Sequence, residues 1–227
     1  MDKAFRKTAS NYSHGLSVIP YLLCLVWFFI LEQVVLEPEF LIGTKIDKVI
    51  PFSEVFVIPY VFWYLYVAVP AVYFFFKAPD DFRKLMSFMS FSMIIACLIF
   101  TFFPNGQALR PYIRPDGLLD SIISKIYKAD TPTNSLPSIH VMFSVGVHTA
   151  LVHYKDASRK ILNFSFVSMV LICISTVFVK QHSIVDVMAG IIFSELLYIL
   201  VYIKGITVDD IWKKVRLFTK RGISLRM

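Results

Sequence analysis

The sequence predicts an all-α, polytopic membrane protein with six transmembrane helices and both termini cytoplasmic. Three observations carry that fold class. Apolar residues fill 57% of the 227 positions and mean hydropathy is +0.66, where soluble domains hold about 45–50%. The apolar residues come in blocks of about twenty, the length that crosses a bilayer. The charged residues gather in short segments between those blocks. No linker, low-complexity tract or repeat divides the chain, so a single membrane-embedded domain is expected over 1–227.

The spans fall at 16–36, 53–76, 85–104, 137–154, 161–180 and 183–203. The first follows Lys3, Arg6 and Lys7 and lacks a small-residue cleavage site, so it reads as a retained anchor. The second, "FWYLYVAVPAVYFFF", carries rings suited to lipid and to an interfacial belt, and a Pro that can kink it. It is joined to the third by the charged turn "FKAPDDFRK". The third runs out in "FFPNGQALRPYIRPDG". The fourth starts at "LPSIH", where Pro137 suits a first helical turn because its missing N–H has no partner to lose there. After the charged turn "YKDASRK" the fifth follows, and the sixth starts at "HSIVD". Cys24, Cys97 and Cys173 each sit inside an apolar run and read as small buried hydrophobes, not as a disulfide framework or a zinc site.

Orientation follows from the basic residues, which are retained in cytoplasmic loops. With the N-terminus inside, sixteen of the 23 Lys and Arg residues lie in inside segments and seven in outside ones. That bias accounts for most of the +7 net charge and argues against nucleic acid as a partner. A multi-pass protein of the cytoplasmic membrane is expected, with membrane lipids around it and a basic cytoplasmic tail over 206–227. In that tail Ile211, Trp212, Val215 and Phe218 stand near helical spacing, as in a helix lying on a leaflet or in a solvated tail.

In this topology the unusual polar residues meet at the outer face. The fourth and sixth helices both present their N-termini there, and helix N-termini are anion sites. His182 and Asp186 are four apart, on one helix face. An Asp in that setting costs about 2.5–3.5 kcal/mol on insertion scales and calls for a partner, which His182 supplies. Catalysis, an ion pathway and a structural pair all remain open from that pair alone. His148 reads as a satisfied bundle histidine, His153 as interfacial, and His14 needs no role. "IDKVIPFSE" in the first outer loop is a candidate re-entrant turn near the site. Asp116, Asp120 and "KADTPTNS" are head-group candidates whose default is solvated loop.

"PSIH" and "HSIVD" together resemble the type 2 phosphatidic acid phosphatase superfamily, which is vanadium haloperoxidase-like. Its elements are Lys-x6-Arg-Pro, Pro-Ser-x-His and Arg-x5-His-x3-Asp, in that order. The likeness covers a motif core of 85–205. It implies His182 as nucleophile through a phosphohistidine, Asp186 to orient it, and His140 as general acid and then base. It further implies a phosphate cradle from Arg110, with Arg114 the other register, together with Ser138 and nearby backbone N–H groups such as that of Ile139. No metal or cofactor is implied.

Two cations of the pattern are missing. Phe103 stands where the first Lys belongs (Gln107 in the Arg114 register), and Thr176 stands for the Arg of the third element. Lys180, one turn on, is the candidate replacement. The resemblance implies hydrolysis of a lipid phosphate or diphosphate of the phosphatidic acid, phosphatidylglycerol phosphate or undecaprenyl diphosphate class, at the extracytoplasmic face. Its alternative is head-group transfer, as in the similar sphingomyelin and inositol-phosphorylceramide synthases. A non-enzymatic transporter or scaffold is the third expectation. Oligomeric state is left open.

Overall fold

The computed structural model describes residues 13–224, with side chains to Leu217. Lys3, Arg6, Lys7 and Arg226 lie outside the described residues, as do the side chains of Phe218, Lys220 and Arg221. The described residues are 74% helical. Helix α1 (Ile19–Val34) follows a 3₁₀ turn at Ser13–Val18, and a two-residue strand β1 (Phe40–Leu41) leads to the short α2 (Lys45–Val49). A second 3₁₀ turn, Glu54–Phe56, opens α3 (Val57–Lys77), and α4 (Pro79–Phe102) follows directly. Strand β2 (Asn105–Gly106) pairs in parallel with β1. Then come α5 (Leu118–Ala129), α6 (Ile139–His153), α7 (Arg159–Phe178) and α8 (Ile184–Tyr198), which runs into a π-helical turn at Ile199–Ile203. The last helix is α9 (Val208–Ser224).

Several expectations change. The strand pair makes the fold nearly, not wholly, all-α. Among the described residues five segments are long and apolar enough to cross a membrane: Ser13–Val34, Glu54–Lys77, Pro79–Phe102, Arg159–Phe178 and Ile184–Ile203. The remaining expected span is the shorter α6, whose 15 residues rise about 22 Å. "FKAPDDFRK" is not a loop: only Ala78 separates α3 from α4. Asp80 and Asp81 sit in the first turn of α4, at the positive end of its dipole. Helix α5 lies in what reads as an outer loop.

Helices α4 and α6 form the centre. Leu85, Phe88, Met93, Ala96 and Phe100 of α4 are fully or nearly fully buried, as are Val141, Met142, Phe143 and Val147 of α6. Gly146 lets the two helices touch, since a Cβ there would stand 2.5 Å from the Phe88 ring. Ser87, Ser90 and Ser92 donate back to carbonyls four residues earlier, which satisfies their hydroxyl protons within α4, and the Ser87 oxygen also accepts from Val208 N of α9 at 3.0 Å. One polar node joins α3, α6 and α7. The Tyr66 and Ser165 hydroxyls lie 2.7 Å apart, and His148 Nδ1 is 3.0 Å from the Ser165 hydroxyl. Helices α1, α3, α7 and α8 turn Leu23, Leu65, Phe164 and Ile192 outward, as a protein solvated by lipid does.

The beginning and end of the described chain meet at one end of the bundle. Ser17 donates to Asp209 at 2.8 Å, and Arg83 lies 3.4 Å from the same carboxylate. The conspicuous polar residues collect at the other end.

Candidate active site

His182 stands just before α8, and the helix start is what holds it. Ser183 caps the helix by accepting from Val185 N at 3.1 Å, and Asp186 Oδ2 accepts from Ser183 N at 2.9 Å. His182 Nδ1 lies 3.3 Å from that same Oδ2. Asp186 is fully buried, and its second oxygen has no partner. One carboxylate therefore closes a capping box and fixes the imidazole, leaving Nε2 directed away from the carboxylate.

Behind this turn lies α2. Asp47, 1% exposed, accepts from Ser183 Oγ and from Ile184 N, both at 2.8 Å, and from the N–H and hydroxyl of Thr44. Burial pushes the Asp47 carboxyl up, but the hydrogen bonds from Ile184, Thr44 and Ser183 outweigh it and hold it below the usual range. Lys180, in the left-handed region at φ 56°, turns back to the same place. Its Nζ donates to the carbonyls of Asp47 at 2.8 Å and Ile50 at 2.6 Å. The carbonyls leading to His182 are stapled as well: Phe178 by Ser53 N, Val179 by the Tyr127 hydroxyl, and Lys180 by Gln107 Nε2. The "IDKVIPFSE" expectation thus lands against the site.

Helix α6 begins alongside. Ser138 N donates to the Asp186 carbonyl at 3.2 Å, and Gly190 permits the approach, since a Cβ there would stand 3.1 Å from Ser138 O. Two residues on, the His140 ring lies 5.7 Å from that of His182, between Trp63 at 4.3 Å and Tyr60 at 4.7 Å, centroid to centroid. Its Nε2 is buried without a partner.

Both imidazoles border a cavity of about 960 Å³. At its polar end stand Gln181, Glu32, Asp130 and Asn134. From there it continues between α1, α3 and α4, past Phe28, Val67 and Met89, to Val18 and Phe75. From Val18 to Gln33 the wall rises about 22 Å at 1.5 Å per residue.

The expected residues therefore separate into groups. His182, Asp186 and His140 come together, and the N–H of Ile139 opens α6 beside them. Ser138 is close but is used otherwise: its hydroxyl caps α6 by accepting from Val141 N at 3.4 Å. Arg110 stacks over Tyr127 and donates to the carbonyls of Tyr127, Asp130 and Thr131 and to Gln181 Oε1, so it holds the cavity wall from behind. Arg114 is exposed on the loop. Lys180 does not deliver its ammonium to the cavity, because the α2 carbonyls take it. Thr176 donates its hydroxyl to Cys173 O, so neither replaces the absent Arg at the cavity. His148, His153 and His14 lie apart, and Asp116 is exposed.

Sequence reasoning missed Glu32, Gln181 and the bracket role of Asp47, and it had Asp130 and Asn134, within "KADTPTNS", as head-group candidates whose default was solvated loop. Glu32 accepts from the Thr131 hydroxyl and from Asn134 Nδ2, both at 2.7 Å. Burial, only partly offset by Arg110, pushes the Asp130 carboxyl up to about 6, with Glu32 adding to the rise. Asn105 ties the loop before α6 through Leu136 N at 2.7 Å and Leu136 O at 3.1 Å.

Among known proteins, the model of the PAP2 superfamily matches residues 85–207. No curated protein and no solved structure matches the chain.

Proposed function

Because the chain belongs to the PAP2 superfamily, we propose that it cleaves a phosphoester bond of a membrane lipid, with His182 as the nucleophile. One observation carries the reading: the Asp186-held His182 and the orphaned His140 Nε2 border the same end of one long apolar cavity. With Nδ1–H donated to Asp186, the Nε2 lone pair attacks phosphorus. The P–O bond to the leaving alcohol breaks as the P–N bond forms. His140 enters as imidazolium, its charge balanced by the substrate phosphate, and protonates the departing oxygen. Now neutral, it takes a proton from water as the water oxygen attacks the phosphohistidine. The N–P bond breaks and the electron pair returns to His182. The α6 N–H groups of Ile139 and His140 face the developing charge.

Hydrolysis of a lipid phosphate or diphosphate is the first reading. Transfer of a head group to a lipid alcohol uses the same first half and is the second. The shortage of free cations at the cavity favours it for phosphodiesters. The lipid tail lies along the α1–α3–α4 cavity. The site faces the extracytoplasmic side, because the basic segments Lys77–Lys84, Lys155–Lys160 and Lys204–Arg216 fall at the opposite ends of their helices, where positive charge is retained.

The test is turnover of purified protein on lipid phosphates and phosphodiesters, followed for both inorganic phosphate and lipid products. Activity on at least one class that vanishes in His182→Ala supports the reading. Undiminished activity in that variant overturns it.

A further inference from the structure

We propose that the head group brought to His182 is zwitterionic, a phosphodiester whose alcohol carries an ammonium, and that Glu32, Asp130 and Asn134 receive that ammonium beside Tyr60 and Trp63. The inference rests on His182 as the reacting group and takes the second of the two readings, the one for phosphodiesters.

The charges of the cavity wall point this way. Glu32 and Asp130 both line it. The Arg110 guanidinium lies behind it with both terminal nitrogens occupied by protein oxygens, and the Lys180 ammonium is held at α2. Among the described residues a phosphomonoester dianion entering here would meet two carboxylates in the cavity wall, with the Arg110 guanidinium behind that wall and only its Nε unpartnered, and like charges at close range disfavour each other. A phosphodiester carries one negative charge, and an ammonium on its alcohol converts the two carboxylates from an obstacle into a receptor.

The unpartnered amides supply an independent observation. Asn134 is 6% exposed and Gln181 3% exposed, and both line the cavity. Asn134 Nδ2 donates to Glu32, so its oxygen is the atom left over, and that oxygen has no partner. Gln181 Oε1 accepts from Arg110, so its amino group is the atom left over, and it too has no partner. Each amide is thereby oriented by its neighbour and not by choice of label. The cavity keeps one free acceptor beside Glu32, suited to an N–H cation, and one free donor next to His182, suited to a phosphate oxygen. Tyr60 and Trp63 flank His140 between these regions, and aromatic faces attract ammonium groups.

The experiment measures binding of single-chain probes to full-length His182→Ala protein in a neutral maltoside detergent at pH 7.5, by calorimetry. The probes are dodecylphosphoethanolamine, dodecylphosphocholine and dodecyl phosphate. Both zwitterions are expected to bind at least about tenfold more tightly than dodecyl phosphate, and their ratio to each other separates an ethanolamine from a choline source. Asp130→Asn, isosteric and on a loop, should reduce that preference and raise affinity for dodecyl phosphate. Glu32→Gln should act in the same direction, and Asp130→Asn alone decides if Glu32→Gln does not fold. Tighter binding of dodecyl phosphate, or a preference unchanged by Asp130→Asn, overturns the inference. Because the readout is binding, it stands whether or not His182 proves to be the nucleophile, which the turnover assay decides separately.

Discussion

The back and the front of the site are built on opposite rules. Behind His182, the carbonyls from Phe178 to Lys180 and the start of α8 are matched: three successive carbonyls have donors, the Lys180 ammonium has two carbonyls, and Asp47 binds the start of α8. In front, His140 Nε2, Gln181 Nε2 and Asn134 Oδ1 have no partner at all. Buried polar atoms left unpaired cost about 1–3 kcal/mol each, so such a cluster persists where a ligand completes it. The comparison teaches that rigidity and reactivity are supplied by different parts of the chain, α2 and α5 on one side, α1 and the 130–140 segment on the other.

Removing the front's reactive atom should have the largest effect. His182→Ala is expected to lower turnover by about 10³-fold or more, with thermal stability little changed, read from initial rates and melting side by side. Breaking the back comes next. Asp47→Ala strands Ser183 Oγ and Ile184 N, and it should destabilise the protein by about 2–4 kcal/mol, seen as a lowered melting temperature, with kcat falling in protein that remains folded. Asp47→Asn should restore part of both. If Asp47→Ala lowers kcat without touching stability, the bracket is not structural.

A finer probe is Gly190→Ala, whose Cβ would press Val141 at 3.0 Å and Ser138 O at 3.1 Å. Parting α6 from α8 should cost about 1–3 kcal/mol and weaken the acid step by His140 more than binding, a drop in kcat at near-constant KM.

Asp130 gives a test by pH. Its folded pKa of about 6 lies above the ordinary value of about 3.9, so between those values the folded state holds more proton than the unfolded one. Stability from this group is therefore greatest below about pH 4 and falls as pH rises through 6. Ammonium binding should move the other way, strengthening as Asp130 ionises among Arg110, Glu32, Tyr60 and His182. Asp130→Asn should flatten both profiles, measured by melting and by probe binding from pH 4.5 to 8. The smallest effect is expected from Arg114→Ala, exposed on its loop, where turnover should stay within about twofold.

The front was the more legible half in the sequence. His182 and Asp186 announce themselves by helical spacing inside an apolar run, and His140 by its place at a helix start. The back was not legible, because its contacts are remote in sequence: Asp47 meets Ser183 across 136 residues. Alone in "IDKVIPFSE", Asp47 is indistinguishable from a solvated loop acid. Lys180 misled for a related reason. Helical spacing places it one turn beyond Thr176, but the helix has ended, and its left-handed backbone sends the side chain to α2. Glu32 falls within the first expected span with nothing to mark it, and only folding sets it against Thr131 and Asn134. The hydropathy blocks gave the long helices to within a few residues except at α4, whose first turn carries charges that no hydropathy reading would place in a helix.

The most direct measurement is of the covalent intermediate. Protein turning over a lipid substrate would be quenched in base, where phosphohistidine survives, and digested for mass spectrometry. A phosphoryl or phosphoester adduct is expected on His182, with His140 unmodified and no adduct in His182→Ala. An adduct on His140, or sustained turnover in a His182→Ala protein that carries none, would contradict His182 as the group that takes the phosphorus.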